Sequence, residues 1–171
     1  MRRSVADPSP SFDPRGLLAT LDRHRVSYIV VGAFARVVQG ADEVTRGIDI
    51  VPSMRDENLR RLDAALEELD AEAVDGRDRS AAAIGDGEAV REFRTSRGEL
   101  KVVPEPAGTS GYDDLRRAAT REPLGQGLRP AVASTGDLAR MLSALGREDD
   151  MPKLLALRRL AELEISRGIE I

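Results

Sequence analysis

YIVVGAFARVVQGADEVTRGIDIVP (residues 28–52) holds two strands with a short helix between them. SYIVV (27–31) is an apolar run rich in β-branched side chains, the pattern of a buried strand. Gly32 ends it. AFARVVQG (33–40) has the length of a short helix closed by Gly40. In GIDIVP (47–52), Ile48 and Ile50 alternate with Asp49 and Val51. A second strand therefore turns its isoleucines to one face and Asp49 to the other, and Pro52 stops it.

Upstream, Asp13-Pro14 offers an N-cap followed by a proline at the first helical position, and Leu17, Leu18 and Leu21 continue a helix to about Arg25. Residues 1–11 are polar, carry two prolines and read as a flexible tail. Downstream, Leu59, Leu62, Leu66 and Leu69 mark one face of a helix over 55–70. Residues 74–89 carry three glycines and little apolar character, and read as a loop or flap. VREFRTSRGELKVVP (90–104) reads as a hairpin around Ser96-Arg97-Gly98, and YDDLRRAA as a short helix. LRPAVA (128–133) reads as a last strand. Ser134 and Asp137 resemble a capping box ahead of a helix ending at Gly146. A final helix runs from about Asp150 to Arg167, with Leu154, Leu157, Leu160 and Leu163 available for packing.

The order predicts an α/β (α+β) domain: a mixed sheet packed with helices and a C-terminal helical pair. The tail spans 1–11, the α/β core 12–134, and the C-terminal helices packed on that core 135–171. Hydrophobic residues make up 41% of the 171 residues and charged residues 33%, enough for a core without metals or disulfides. Aromatics are 3%, which leaves no stacking platform for single strands. A net charge of -4 argues against broad binding to nucleic acid but leaves room for a local basic pocket. The absence of Cys removes a thiolate nucleophile. No apolar run approaches ~20 residues, and no apolar stretch follows Arg2 and Arg3, so a cytoplasmic protein without membrane association is expected.

Residues 28–52 resemble the signature of the nucleotidyltransferase superfamily. There a strand ends in Gly-Gly or Gly-Ser, a short helix follows, and about a dozen residues later an acid-x-acid pair stands on the next strand. Gly32-Ala33 and Gly47-Ile48-Asp49, thirteen residues apart, match that spacing. GELKVVPEPAGTSGYDDL (98–115) is similar to the strand that brings a third carboxylate, with Lys101 at the carboxylate position. The helical segments 57–69 and 133–160 resemble those of small stand-alone bacterial members, of the toxin-antitoxin and abortive-infection type.

The resemblance implies transfer of a nucleoside monophosphate from an NTP, with two Mg²⁺ ions ~3.5–4 Å apart clamping the attacking and leaving oxygens. Alternate strand residues share a face, so acid-x-acid delivers both carboxylates to one metal pair. It implies nucleotide contacts at Gly32, Ala33 and Thr45, and a residual catalytic and metal-binding role for Asp49. Gly47, without a ligand atom, replaces the first acid, and Lys101 replaces the third with a cation. At ~4 Å and an effective dielectric constant near 20, the repulsion between an ammonium and Mg²⁺ is on the order of several kcal/mol. The site is thus expected to be degenerate, with Lys101 standing in for the metal and pairing with Asp49.

Three functions fit: a pseudoenzyme that binds a nucleotide or a partner without any cofactor, an atypical transferase that uses Mg²⁺ and acts on tRNA or protein, or the interaction subunit of a toxin-antitoxin-like pair. Glu99 and Glu105 are candidate substitute carboxylates, with Glu99 expected to point away from Lys101. Arg147 and Lys153 read as solvated charges, and His24 as a helix-end cation.

Overall fold

The computed structural model describes residues 11–80 and 90–169. The stretch 81–89, most of the expected loop, lies outside them, as do residues 1–10 of the expected tail. Helix α1 (Pro14–Arg23) begins as the sequence predicts, with the Asp13 carboxylate accepting from the Gly16 N–H at 3.0 Å. β1 (Tyr28–Val31), α2 (Gly32–Val38) and β2 (Gly47–Pro52) follow, then α3 (Asp56–Glu68). The hairpin is β4 (Arg91–Thr95) and β5 (Gly98–Val102), joined by a tight turn at Ser96-Arg97. Gly98 belongs to β5 rather than to the turn. α4 (Tyr112–Leu115), β7 (Ala131–Val132), α5 (Thr135–Leu145), a 3-10 turn (Glu148–Asp150) and α6 (Met151–Ile169) complete the expected order.

Two short strands escaped the sequence reading: β3 (Glu72–Ala73) and β6 (Thr120–Arg121). Each has only two residues, too few for a period of two to show. They sit at the two edges of one seven-stranded sheet, in the order β3-β4-β5-β2-β1-β7-β6. β1 pairs with β7, and β2 with β5, in parallel, whereas the other neighbours are antiparallel. The sheet is therefore mixed, as expected.

β2 lies at the centre, and both its faces are covered. Ile48 and Ile50 are wholly buried in one cluster with Phe93, Leu100, Val102 and the leucines of α1 and α3. Val51, on the face of Asp49, is buried as well, because α2 packs against β2 there. The strand thus shows a polar residue at Asp49 within an otherwise apolar run.

α5 packs on α2 and α6. Ser134 caps α5 by accepting from the Asp137 N–H at 3.0 Å, and Gly146 ends it in the left-handed conformation. The Asp137 carboxylate goes to Arg140 at 3.1 Å. Of the leucines expected to anchor α6, Leu154 and Leu157 are buried, while Leu163 is 47% exposed alongside Met151, Leu155 and Ile165. Helix α6 is anchored through its first half.

Replacing Ser134 with Ala removes the cap of the helix that walls the cleft described below. Urea unfolding is expected to show a loss of about 1 kcal/mol. An unchanged midpoint would mean that the Ser134 hydroxyl adds nothing to α5.

Candidate functional site

The sheet register brings Asp49, Lys101 and Glu92 into one row. Asp49 on β2 is the partner of Lys101 on β5, and Lys101 is the partner of Glu92 on β4. The tight turn sets this register: Thr95 opposite Gly98 places Glu92 opposite Lys101. The row reads acid, base, acid across three strands.

The expected pairing of Lys101 with Asp49 is not what forms. The Lys101 ammonium goes to Glu92 Oε1 at 3.5 Å, and no ion pair within 4.0 Å joins it to Asp49. Antiparallel partners come close at their side chains, and Glu92 is the nearer carboxylate. Lys101 still acts on Asp49 at longer range. Burial pushes the Asp49 carboxyl above its ordinary value, Lys101 and Arg36 pull it down, and Glu92 raises it. Among the described residues, Asp49 has no hydrogen bond or ion pair within these distances.

Two glycines shape the backbone around Asp49. Gly32 has φ +72°, and a Cβ there would come within 2.3 Å of Asp49 Oδ2, so the carboxylate rests on the bare backbone at the start of α2. Gly47 pairs with Glu99, and a Cβ there would come within 2.5 Å of the Glu99 carbonyl oxygen. A side chain at position 47 would therefore run into β5. Thr45 spends its hydroxyl on the same turn, donating to the Gly47 carbonyl at 2.9 Å.

Two depressions flank the row. The larger, about 500 Å³, is lined by Gly32, Ala33, Asp49 and Lys101, with Arg36, Glu105, Arg147 and an apolar wall from α5. The smaller, about 210 Å³, is lined by Thr45, Gly47, Asp49, Lys101, Glu92 and Glu99. The six residues marked out by the sequence thus meet at the Asp49–Lys101 step, but Thr45 lies on the opposite side from Gly32 and Ala33. Glu99 lies on the site face, contrary to expectation, because residues two apart on a strand point the same way. Arg147 lines the cleft, while Lys153 is drawn to Asp150, at 3.7 Å. His24 bonds Glu68 at 2.9 Å, away from both depressions.

Sequence reasoning missed Glu92 and Arg36. The hairpin register was signal enough for Glu92. Arg36 is buried and gives two hydrogen bonds to Glu43, at 2.7 and 3.1 Å, which nothing in the local pattern announces.

Two solved structures are similar to this chain in fold. The antibiotic-resistance factor ANT(2'')-Ia matches with a TM-score of 0.55 at 15% identity, covering 88% of this chain and 81% of its own. TM1012 of Thermotoga maritima, a protein classed with the nucleotidyltransferases, matches with a TM-score of 0.54 at 17% identity, covering 85% and 89%. The chain has the nucleotidyltransferase fold. No family model and no curated protein matches it.

For a chain of this fold the donor set at the site is sparse. Among the described residues, no three His, Asp or Glu side chains stand close enough to hold a metal ion together. Asp49 has an ammonium, not a carboxylate, as its neighbour on β5. The residues present do not fit a two-metal centre.

Two consequences can be measured. Gly47→Asp, which restores the first acid on paper, forces β2 and β5 apart, and urea unfolding is expected to show a loss of roughly 1–3 kcal/mol. A variant as stable as the parent would contradict the close approach. Asp49 has a raised native-state value, so its charge costs stability above that value, and protonation removes the cost as pH falls toward the unfolded value. Asp49→Asn should therefore be the more stable protein near pH 7, with the difference shrinking toward about pH 4. A difference that grows on acidification would reverse the assignment.

Proposed function

We propose that this chain is a nucleotidyltransferase-fold binding domain that has lost metal-dependent nucleotidyl transfer. The observation that carries the reading is the Asp49–Lys101 register. It puts a cation where the chemistry needs an anion, beside the one acid that remains. Without a second and third carboxylate beside Asp49, nothing among the described residues gathers the metal charge that would offset a triphosphate and its transition state. What remains is a cleft of about 500 Å³, within the range of small-ligand sites, with a polar floor and an apolar wall. Binding there needs no cofactor. No helix among the described residues is long and apolar enough to cross a membrane.

A second reading keeps the enzyme. Glu92 and Glu99 line the depression beside Asp49, and either is a candidate replacement for a missing ligand. In its favour stands their shared sheet face. Against it stands Lys101 between Glu92 and Asp49.

Incubation with each of the four α-³²P-labelled NTPs, Mg²⁺ or Mn²⁺, and RNA or protein acceptors separates the two. The proposal expects no label transferred, and no thermal shift that needs an NTP and Mg²⁺ together. Label transfer that disappears in Asp49→Asn would establish the second reading instead.

A further inference from the structure

The charged groups of the larger cleft differ in one respect: its cations are matched and its acids are not. Arg36 gives both its hydrogen bonds to Glu43. Lys101 is held by Glu92 at 3.5 Å. Arg147 Nε donates to the buried Asp150 at 2.6 Å. The two carboxylates on the same cleft are Asp49 and Glu105. Among the described residues, neither has a hydrogen bond or ion pair with another side chain. Asp49 is half-buried and Glu105 stands exposed at the rim.

This asymmetry bears on what the cleft can receive. An anion entering it would meet cations already engaged by Glu43, Glu92 and Asp150, and would face Asp49 and Glu105 as well. The Arg36–Glu43 pair is desolvated, its side chains 9% and 14% exposed, and separating it is costly because the carboxylate left behind stays uncompensated. A cation meets the reverse situation. It finds two carboxylates with unused lone pairs, one of them partly withdrawn from water, where Coulomb attraction is less screened. The opposite wall is apolar: Met141 and Leu142 are nearly buried, and Leu145 is 47% exposed at the mouth. That wall favours a ligand with an apolar body, since contact removes hydrocarbon surface from water on both sides.

Resting on the reading of the cleft as a metal-free binding site, we propose that its ligand is a small organic cation with an apolar body. The ammonium or amidinium group sits against Asp49, with Glu105 at the rim, and the hydrocarbon part lies on Met141, Leu142 and Leu145. Glu43, Glu92 and Asp150 act as positioning residues: they hold the cleft's own cations aside, so that Asp49 stays available. The site chooses by charge sign, and a nucleoside triphosphate is the ligand it is built to refuse.

The test uses phenethylamine and benzamidine as probes, with 2-phenylethanol as the neutral analogue and ATP without metal as the anion. Isothermal titration gives the affinities, and ¹H–¹³C spectra of the methionine methyls report whether Met141 is touched. Both cations are expected to bind at least about tenfold more tightly than the alcohol, to shift the Met141 methyl, and to outcompete ATP. Asp49→Asn should weaken both cations by about tenfold or more while leaving the alcohol unchanged, and Glu105→Gln should weaken them less. Equal binding of cation and alcohol, tighter binding of ATP at Met141, or cation binding that survives both substitutions would each overturn the proposal. Cation binding that fails while no nucleotidyl transfer is found rejects this ligand alone. Metal-dependent transfer rejects the binding-domain reading beneath it.

Discussion

The closeness of β2 to β5 is the constraint on which the site depends. At Gly47 the two strands approach until no side chain fits, with the Glu99 carbonyl 2.5 Å from where a Cβ would stand. A parallel ladder drawn together at that point carries its register onward, and two residues later Asp49 faces Lys101. The hairpin then carries the row one strand further, to Glu92. The glycine at 47 and the lysine opposite Asp49 thus follow from the same pair of strands. Gly32 completes the arrangement from the other side, its left-handed backbone giving the Asp49 carboxylate a surface without a Cβ to displace it.

Electrostatics around this row follow from who reaches whom. Lysine is a compact point charge on a flexible stem, and here it takes the antiparallel neighbour on β4 rather than the parallel one on β2. Arg36 and Arg147 behave likewise, each taking the carboxylate nearest its own element. Asp49 is left with long-range help only, and burial dominates its ionisation. A pocket arranged for phosphates would show free cations and satisfied acids. Here each cation is engaged by a carboxylate other than Asp49, in a chain with the nucleotidyltransferase fold.

Most of the fold was legible because its long elements carry strong periods. The leucines of α3, the β-branched run of β1 and the alternation in β2 each have one reading, and caps at Asp13, Ser134 and Gly146 fall where chain chemistry puts them. β3 and β6 were not legible: two residues held by an edge partner leave no pattern of their own. The candidate site residues on β2 and β5 were marked through the resemblance, but their side-chain partners were not. Which carboxylate Lys101 takes depends on side-chain reach across two ladders. That lies beyond one strand's alternation, although the hairpin register already placed Glu92 opposite. The orientation of Glu99 was available from the same alternation that placed Ile48 and Ile50. The exposure of Leu163 depends on where α6 leaves the core, a property of packing and not of the helix.

On the proposed reading the site holds no catalytic metal, because a lysine faces Asp49 across β2 and β5. Electron paramagnetic resonance of free Mn²⁺, titrated with the protein and with its Lys101→Asp variant, tests this most directly. The parent protein is expected to leave the free Mn²⁺ signal undiminished, while Lys101→Asp, with two facing carboxylates, takes up the ion. Mn²⁺ binding by the parent that Asp49→Asn abolishes would contradict it.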